Sequence, residues 1–207
     1  MRTRYALGTV SLFAITTLIA VSSAVSSGSV KSDVKAALLW IVLLFAAMSG
    51  LSRVFVREVE SGTAPLLKLA APATSVYCGK LLYNVVLIFI VEMVSIPLFL
   101  ALLPPQTLRL AIFVPTLILG GWGLASASTF VAALIAQATS GKSALFFIVA
   151  FPVLMPLLLV LVQATIGCFS PIPSFATRAV SDLWVLTTYC IASTGAAIAL
   201  FEYAWYE

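Results

Sequence analysis

Apolar residues fill six long stretches of the chain, with polar residues gathered between them. The stretches cover residues 5–26, 36–55, 81–103, 108–135, 144–166 and 183–205. About 20 predominantly apolar residues make a helix long enough to cross the ~30 Å hydrocarbon core of a bilayer. Inside that core every backbone N–H and C=O needs an internal partner, which a helix supplies to itself. The pattern predicts an all-α membrane protein, residues 1–207 forming one domain of six transmembrane helices. Connections are short except for residues 57–80 and 167–182.

The interval 57–80, REVESGTAPLLKLAAPATSVYCGK, is the longest. Arg57, Glu58 and Glu60 extend the preceding helix into water. Gly62 weakens it, since glycine costs roughly 1 kcal/mol against alanine in a helix interior. Thr63 can cap a new turn, with Pro65 in the first turn, where its missing N–H does no harm. Leu66 and Leu67 give that turn an apolar side, and Pro72 ends it. Val59, Thr63, Leu66 and Ala70 share one face; Arg57, Ser61 and Lys68 share the other. This is the pattern of an amphipathic helix lying along the membrane surface. Thr74 or Ser75 is the expected cap of the third span.

Composition narrows the classes. Of 207 residues, 62% are hydrophobic and 9% charged, against about a quarter charged in a globular domain. A soluble domain is excluded, and the basic residues are too scattered for a nucleic-acid surface. Histidine is absent, which removes the commonest metal ligand and neutral-pH proton shuttle. Cys78, Cys168 and Cys190 fall at different depths, so no metal or disulfide pair is expected. Charge instead orients the chain. With the N-terminus inside, Arg2, Arg4, Arg53, Arg57, Lys68, Lys80 and Lys142 are cytoplasmic, against Lys31, Lys35, Arg109 and Arg178 outside. The positive-inside rule then places both termini and the interval 57–80 in the cytoplasm. Arg2, Arg4 and the later Ser22-Ser23-Ala24 imitate a cleaved signal, but the run is a full span and is read as a retained helix.

Several positions inside the spans stand out. Glu92 lies mid-way along the third, where a carboxyl costs several kcal/mol unless neutral or paired. It is either a pathway residue or, as we expect, a carboxyl hydrogen-bonded to a neighbouring helix. Asn84 lies on roughly the same side and extends the polar seam. In the fourth span Gly121, Ala125, Thr129 and Ala133 make a small-residue face suited to close helix approach. Pro152 and Pro156 share a face of the fifth and favour kinks. Gly195 and Ala199 suggest a packing ridge in the sixth, and Tyr203, Trp205 and Tyr206 an interfacial anchor. Met48, Met93 and Met155 are expected in the core. The apolar, proline-broken stretch 168–173 either lies in the interface as a short non-spanning segment or touches a periplasmic partner.

No catalytic constellation is present. Gly141-Lys142-Ser143 ends like a phosphate-binding loop, but Ala136 stands where its first glycine belongs. Any ATP must therefore be hydrolysed by another subunit. A secondary transporter would need more buried ion-coupling residues than Glu92.

Glu58 or Glu60, Gly62-Thr63, Leu66-Leu67, Pro72 and Gly79-Lys80, together with Pro97-Leu98-Phe99 and the FPVLMPLLL stretch from Phe151, resemble ABC-2-type permeases. Among these the chain is most similar to the CcmB family, the permease subunit of the haem exporter in cytochrome c maturation. The resemblance covers residues 53–163. It implies a bacterial inner-membrane subunit whose cytoplasmic segment docks a CcmA-like ATPase. The docking residues are then Arg57, Glu58, Glu60, Gly62, Thr63, Leu66, Leu67 and Pro72. It also implies CcmC-like and CcmD-like membrane subunits, a CcmE-like haem chaperone, and a second copy of the chain. Haem is the implied cargo of the complex, with no cofactor or metal assigned to this chain. An exporter of another lipid or glycan, and a membrane scaffold that releases haem-loaded chaperone without translocation, are the competing readings.

Overall fold

The computed structural model describes residues 2–24, 30–51, 72–136 and 142–206. These form six helices and, among the described residues, no strand: α1 (Arg2–Ala24), α2 (Ser32–Leu51), α3 (Ala73–Leu102), α4 (Leu110–Ala136), α5 (Lys142–Phe169) and α6 (Pro173–Tyr206). Four contain stretches long and apolar enough to cross a membrane: Ala73–Leu102, Leu110–Ala133, Ile148–Phe169 and Pro173–Phe201. Ser11–Ala24 in α1 is a shorter apolar stretch. The chain is a multi-pass membrane protein.

Side-chain pairings give the directions. Asn84 meets Thr129 and Glu92 meets Gly121, so α3 and α4 run antiparallel. Gly120 meets Leu161 and Gly123 meets Leu157, so α4 and α5 do too. Ser126 pairs with Thr194, and Leu119 with Cys190, which makes α4 and α6 parallel. Trp40 bonds Thr165 and Ser32 bonds Phe169, an antiparallel α2–α5 pair. Successive helices from α2 to α6 thus alternate in direction, as up-and-down connection requires.

α4 is the most buried of the four long apolar helices, and its glycines explain why. A Cβ at Gly120 would collide with the Trp40 ring of α2 and come within 2.9 Å of Leu161 of α5. One at Gly121 would stand 2.8 Å from the Glu92 carboxyl of α3. One at Gly123 would stand 2.9 Å from Leu157 of α5 and 3.5 Å from Cys190 of α6. Between lipid and protein there is no hydrophobic driving force, so helices associate through close packing and hydrogen bonds, which small residues permit. Three neighbouring glycines point one helix backbone at four partners. Trp122, between them, bonds Thr194 of α6 through Nε1 at 3.2 Å.

Two helix starts differ from the sequence expectation. α3 begins at Ala73, before residue 81. Pro72 is its N-cap, with φ −65° and ψ 149°, and its carbonyl accepts from Ser75 and Val76. Thr74 and Ser75 are exposed residues of the first turn instead of caps. α3 runs through Pro97 to Leu102. α6 begins at Pro173, before residue 183. Proline suits the first helical position because its absent N–H would be unsatisfied there anyway. The stretch 168–173 is therefore not a separate interfacial segment: Cys168 and Phe169 close α5, buried, and a three-residue turn separates the helices. Gly167 lets this corner close, since a Cβ there would collide with Ala179 and lie 2.5 Å from the Phe175 carbonyl.

Arg109 holds the same corner. Its guanidinium donates to the carbonyls of Gly167 at 2.7 Å and Ser170 at 2.9 Å. These are end-of-helix acceptors without an intrahelical donor, at the negative end of the α5 dipole. Nearby, Lys35 donates to the Pro104 carbonyl at 2.6 Å, and Phe99 and Phe113 pack on Phe169 with ring centroids 6.3 and 5.4 Å away.

The methionines separate. Met48 is buried, but Met93 is 79% exposed and Met155 also faces outward, against the expectation of core positions. A flexible thioether suits a lipid-facing surface as well as an interior one. The proposed ridge at Gly195 also faces outward, with nothing within 4 Å of a Cβ placed there.

The glycines give a direct test. Gly120→Ala overpacks the α2–α4–α5 junction and should cost about 1–3 kcal/mol, read as a lowered thermal midpoint in detergent. Gly195→Ala meets open space and should leave that midpoint unchanged. Equal behaviour of the two variants would contradict the packing described.

Candidate intramembrane polar site

Nearly all of the expected docking residues, Arg57, Glu58, Glu60, Gly62, Thr63, Leu66 and Leu67, lie outside the described residues. Pro72 is described, exposed, at the head of α3. Pro152 and Pro156 lie on the exposed side of α5, within one continuous helix. The two intramembrane polar positions, Asn84 and Glu92, are both buried against α4. Both therefore face α4, Asn84 at Thr129 and Glu92 at Gly121.

The small face of α4 makes the seam. Ala125, Thr129 and Ala133 are buried, and Gly121 leaves room for the Glu92 carboxyl beside the α4 backbone. Asn84 Nδ2 donates to Thr129 Oγ1 at 2.7 Å. Thr129 Oγ1 in turn donates to the Ala125 carbonyl, so the pair is tied into the α4 backbone. Thr129, grouped by sequence with the packing residues, is in fact a polar partner. Its position four residues from Ala125, with a hydroxyl on an otherwise small face, was the available signal.

Glu92 behaves differently from the expectation. Its Oε1 is buried and has no protein hydrogen-bond partner. Asn84, not Glu92, makes the bond across the helices. The remaining Asn84 oxygen, Ser95 Oγ and Ser128 Oγ are likewise buried without a protein partner. An unsatisfied buried polar atom costs about 1–3 kcal/mol, and most such atoms in folded proteins find protein or water.

A second polar cluster joins α3, α4 and α6. Ser126 Oγ and Thr194 Oγ1 are 3.1 Å apart, and the Tyr77 hydroxyl lies 3.5 Å from the Ser126 carbonyl. Tyr77 also packs against Phe201, with centroids 5.2 Å apart. Serine and threonine here act as interhelical glue, in groups of ordinary size.

The model of the CcmB protein family matches residues 1–200. The chain belongs to the CcmB family. No match was found among curated proteins or among solved structures. CcmB membership makes the chain a membrane component of the haem-export and cytochrome c maturation system, a permease subunit and not itself a catalyst. It also implies work alongside other Ccm subunits.

The Asn84–Thr129 bond can be weighed by a double-mutant cycle. Asn84→Leu and Thr129→Val should each destabilise the protein, with a coupling energy of about 0.6 kcal/mol and at most ~1.7. Simple additivity of the two changes would show that the bond carries no interaction energy.

Proposed function

We propose that this CcmB-family chain couples ATP hydrolysis by a separate CcmA-like ATPase to haem export or to release of a haem-loaded, CcmE-like chaperone. The docking part of its cytoplasmic segment 57–80 is Arg57, Glu58, Glu60, Gly62, Thr63, Leu66, Leu67 and Pro72. All six helices cross the bacterial inner membrane with both termini inside, beside CcmC-like and CcmD-like subunits and a second copy of the chain. The observation that supports the coupling reading best is where α3 begins. Ala73 follows Pro72 at the end of that docking part, and α3 then runs unbroken to Leu102. A push on residues 57–71 is delivered straight into a rigid helix. That helix is tied to α4 through Asn84 and Thr129, and α4 touches α2, α5 and α6. Displacement at the membrane surface therefore reaches the whole bundle without crossing a flexible joint in α3. Haem, in this scheme, is cargo of the complex.

Replacing Glu58 and Glu60 together by Ala should leave the protein inserted but uncoupled. ATPase activity of the purified complex and the yield of c-type cytochrome in cells should both fall; normal values for both would refute the docking role.

Orientation is tested separately. In an otherwise cysteine-free chain, Ser61→Cys and Ser174→Cys should label from opposite sides. A membrane-impermeant maleimide applied to intact spheroplasts should reach position 174 alone. Labelling at 61 from outside would reverse the proposed topology.

A further inference from the structure

α5 carries two prolines, Pro152 and Pro156, inside its helical run. A proline has no N–H for the carbonyl four residues earlier, and its ring crowds that carbonyl. The carbonyls of Ile148 and Pro152 therefore lose their regular helical donors. Positions four apart lie on one face of a helix, and this face is open. Pro152 and Pro156 are exposed, as are Ile148, Phe151, Met155 and Leu159. The inner face of the same stretch is served from within the chain, where the Tyr189 hydroxyl of α6 donates to the Val153 carbonyl at 2.7 Å. Among the described residues no side chain donates to the Ile148 or the Pro152 carbonyl. α5 runs from Lys142 to Phe169, so Pro152 sits about one turn from its midpoint. In hydrocarbon a carbonyl freed by proline is tolerated where a neighbouring helix or a hydroxyl side chain meets it.

We propose that this outward face of α5 docks a transmembrane helix of another subunit, one that presents hydroxyl or carboxamide donors to the Ile148 and Pro152 carbonyls. The inference rests on the chain working alongside other membrane subunits, and it says where one of them sits. The acceptors select the partner. Two carbonyls four residues apart are separated by about 6 Å along the axis at 1.5 Å per residue. Serine, threonine, asparagine or glutamine residues one turn apart on a facing helix match that spacing and can donate. Lipid chains bring no donor. A second copy does not suit the face, because two-fold pairing sets identical patches against each other, here acceptor against acceptor. Around the carbonyls, Phe151, Met155 and Leu159 supply the side-chain contact through which helices pack in a bilayer.

Two measurements on the full-length, tagged chain in native membranes test it. Pro152→Ala combined with Pro156→Ala returns both N–H donors to α5. Alanine is the better helix former, so the thermal midpoint of this variant in detergent should not fall. The amount of other membrane subunits recovered per tagged chain should nevertheless drop, by up to about tenfold for two interhelical bonds of ordinary strength. Tyr189→Phe disturbs the same stretch of α5 from its inner side and leaves the outward carbonyls as they are, so its recovery should match that of the unaltered chain. Separately, a photoreactive benzophenone side chain at position 155 should join the chain to a different membrane polypeptide. Undiminished recovery with the double alanine variant overturns the proposal, and so does an equal loss with Tyr189→Phe. Photoadducts at 155 that contain lipid alone, or a second, differently tagged copy of the chain, overturn it too. If the unaltered chain recovers no membrane subunit at all, the multisubunit reading fails and takes the proposal with it. If the unaltered chain and the double variant recover them equally, the proposal alone fails.

Discussion

Close backbone approach at α4 is the constraint on which the rest of the bundle depends. Hydrocarbon is as apolar as leucine, so apolar surface alone does not draw helices together in a bilayer. Contact has to come from shape. Gly120, Gly121 and Gly123 remove side chains where Trp40, Glu92 and Leu157 need to enter. With those positions open, four helices meet one axis, and the indole of Trp40 comes near enough to α5 to bond Thr165 at 2.7 Å. Hydrogen bonds from α4 to its neighbours, Asn84 to Thr129 and Trp122 to Thr194 among them, accompany this packing.

Much of this was legible from residue pattern. Six apolar stretches mark six helices, and the run Gly121, Ala125, Thr129, Ala133 marks a contact face that the structure lays against α3. Asn84 and Glu92 were placed together by their spacing alone. Helix starts were less legible, because hydropathy reports where lipid begins and not where helical backbone begins. Residues 73–80 and 173–182 include polar groups that water or headgroups tolerate, so the apolar count passes over them while the helix continues. The clamp at Arg109 was invisible for another reason. Its acceptors are backbone carbonyls of residues 167 and 170, and no side-chain pattern announces a carbonyl left over at the end of a helix.

α3 joins these observations mechanically. Its head adjoins the segment read as the ATPase contact, its middle carries the polar seam, and its far end lies near the Lys35–Pro104 bond and the Phe99–Phe169 stack. A helix that is continuous between such different neighbours transmits translation better than a chain of short elements. The seam joins α3 to α4 both by the Asn84–Thr129 bond and by the Glu92 carboxyl seated against Gly121.

The early start of α6 carries a consequence for the membrane around the protein. Its 34 residues extend about 51 Å at 1.5 Å per residue, well beyond a hydrocarbon layer of ~30 Å. Trp184, in the first half of α6, is 74% exposed, and tryptophan favours the boundary of a bilayer. A helix longer than the hydrocarbon layer is accommodated by tilting, and the packing of α6 against α4 and α5 sets how far that tilt can go.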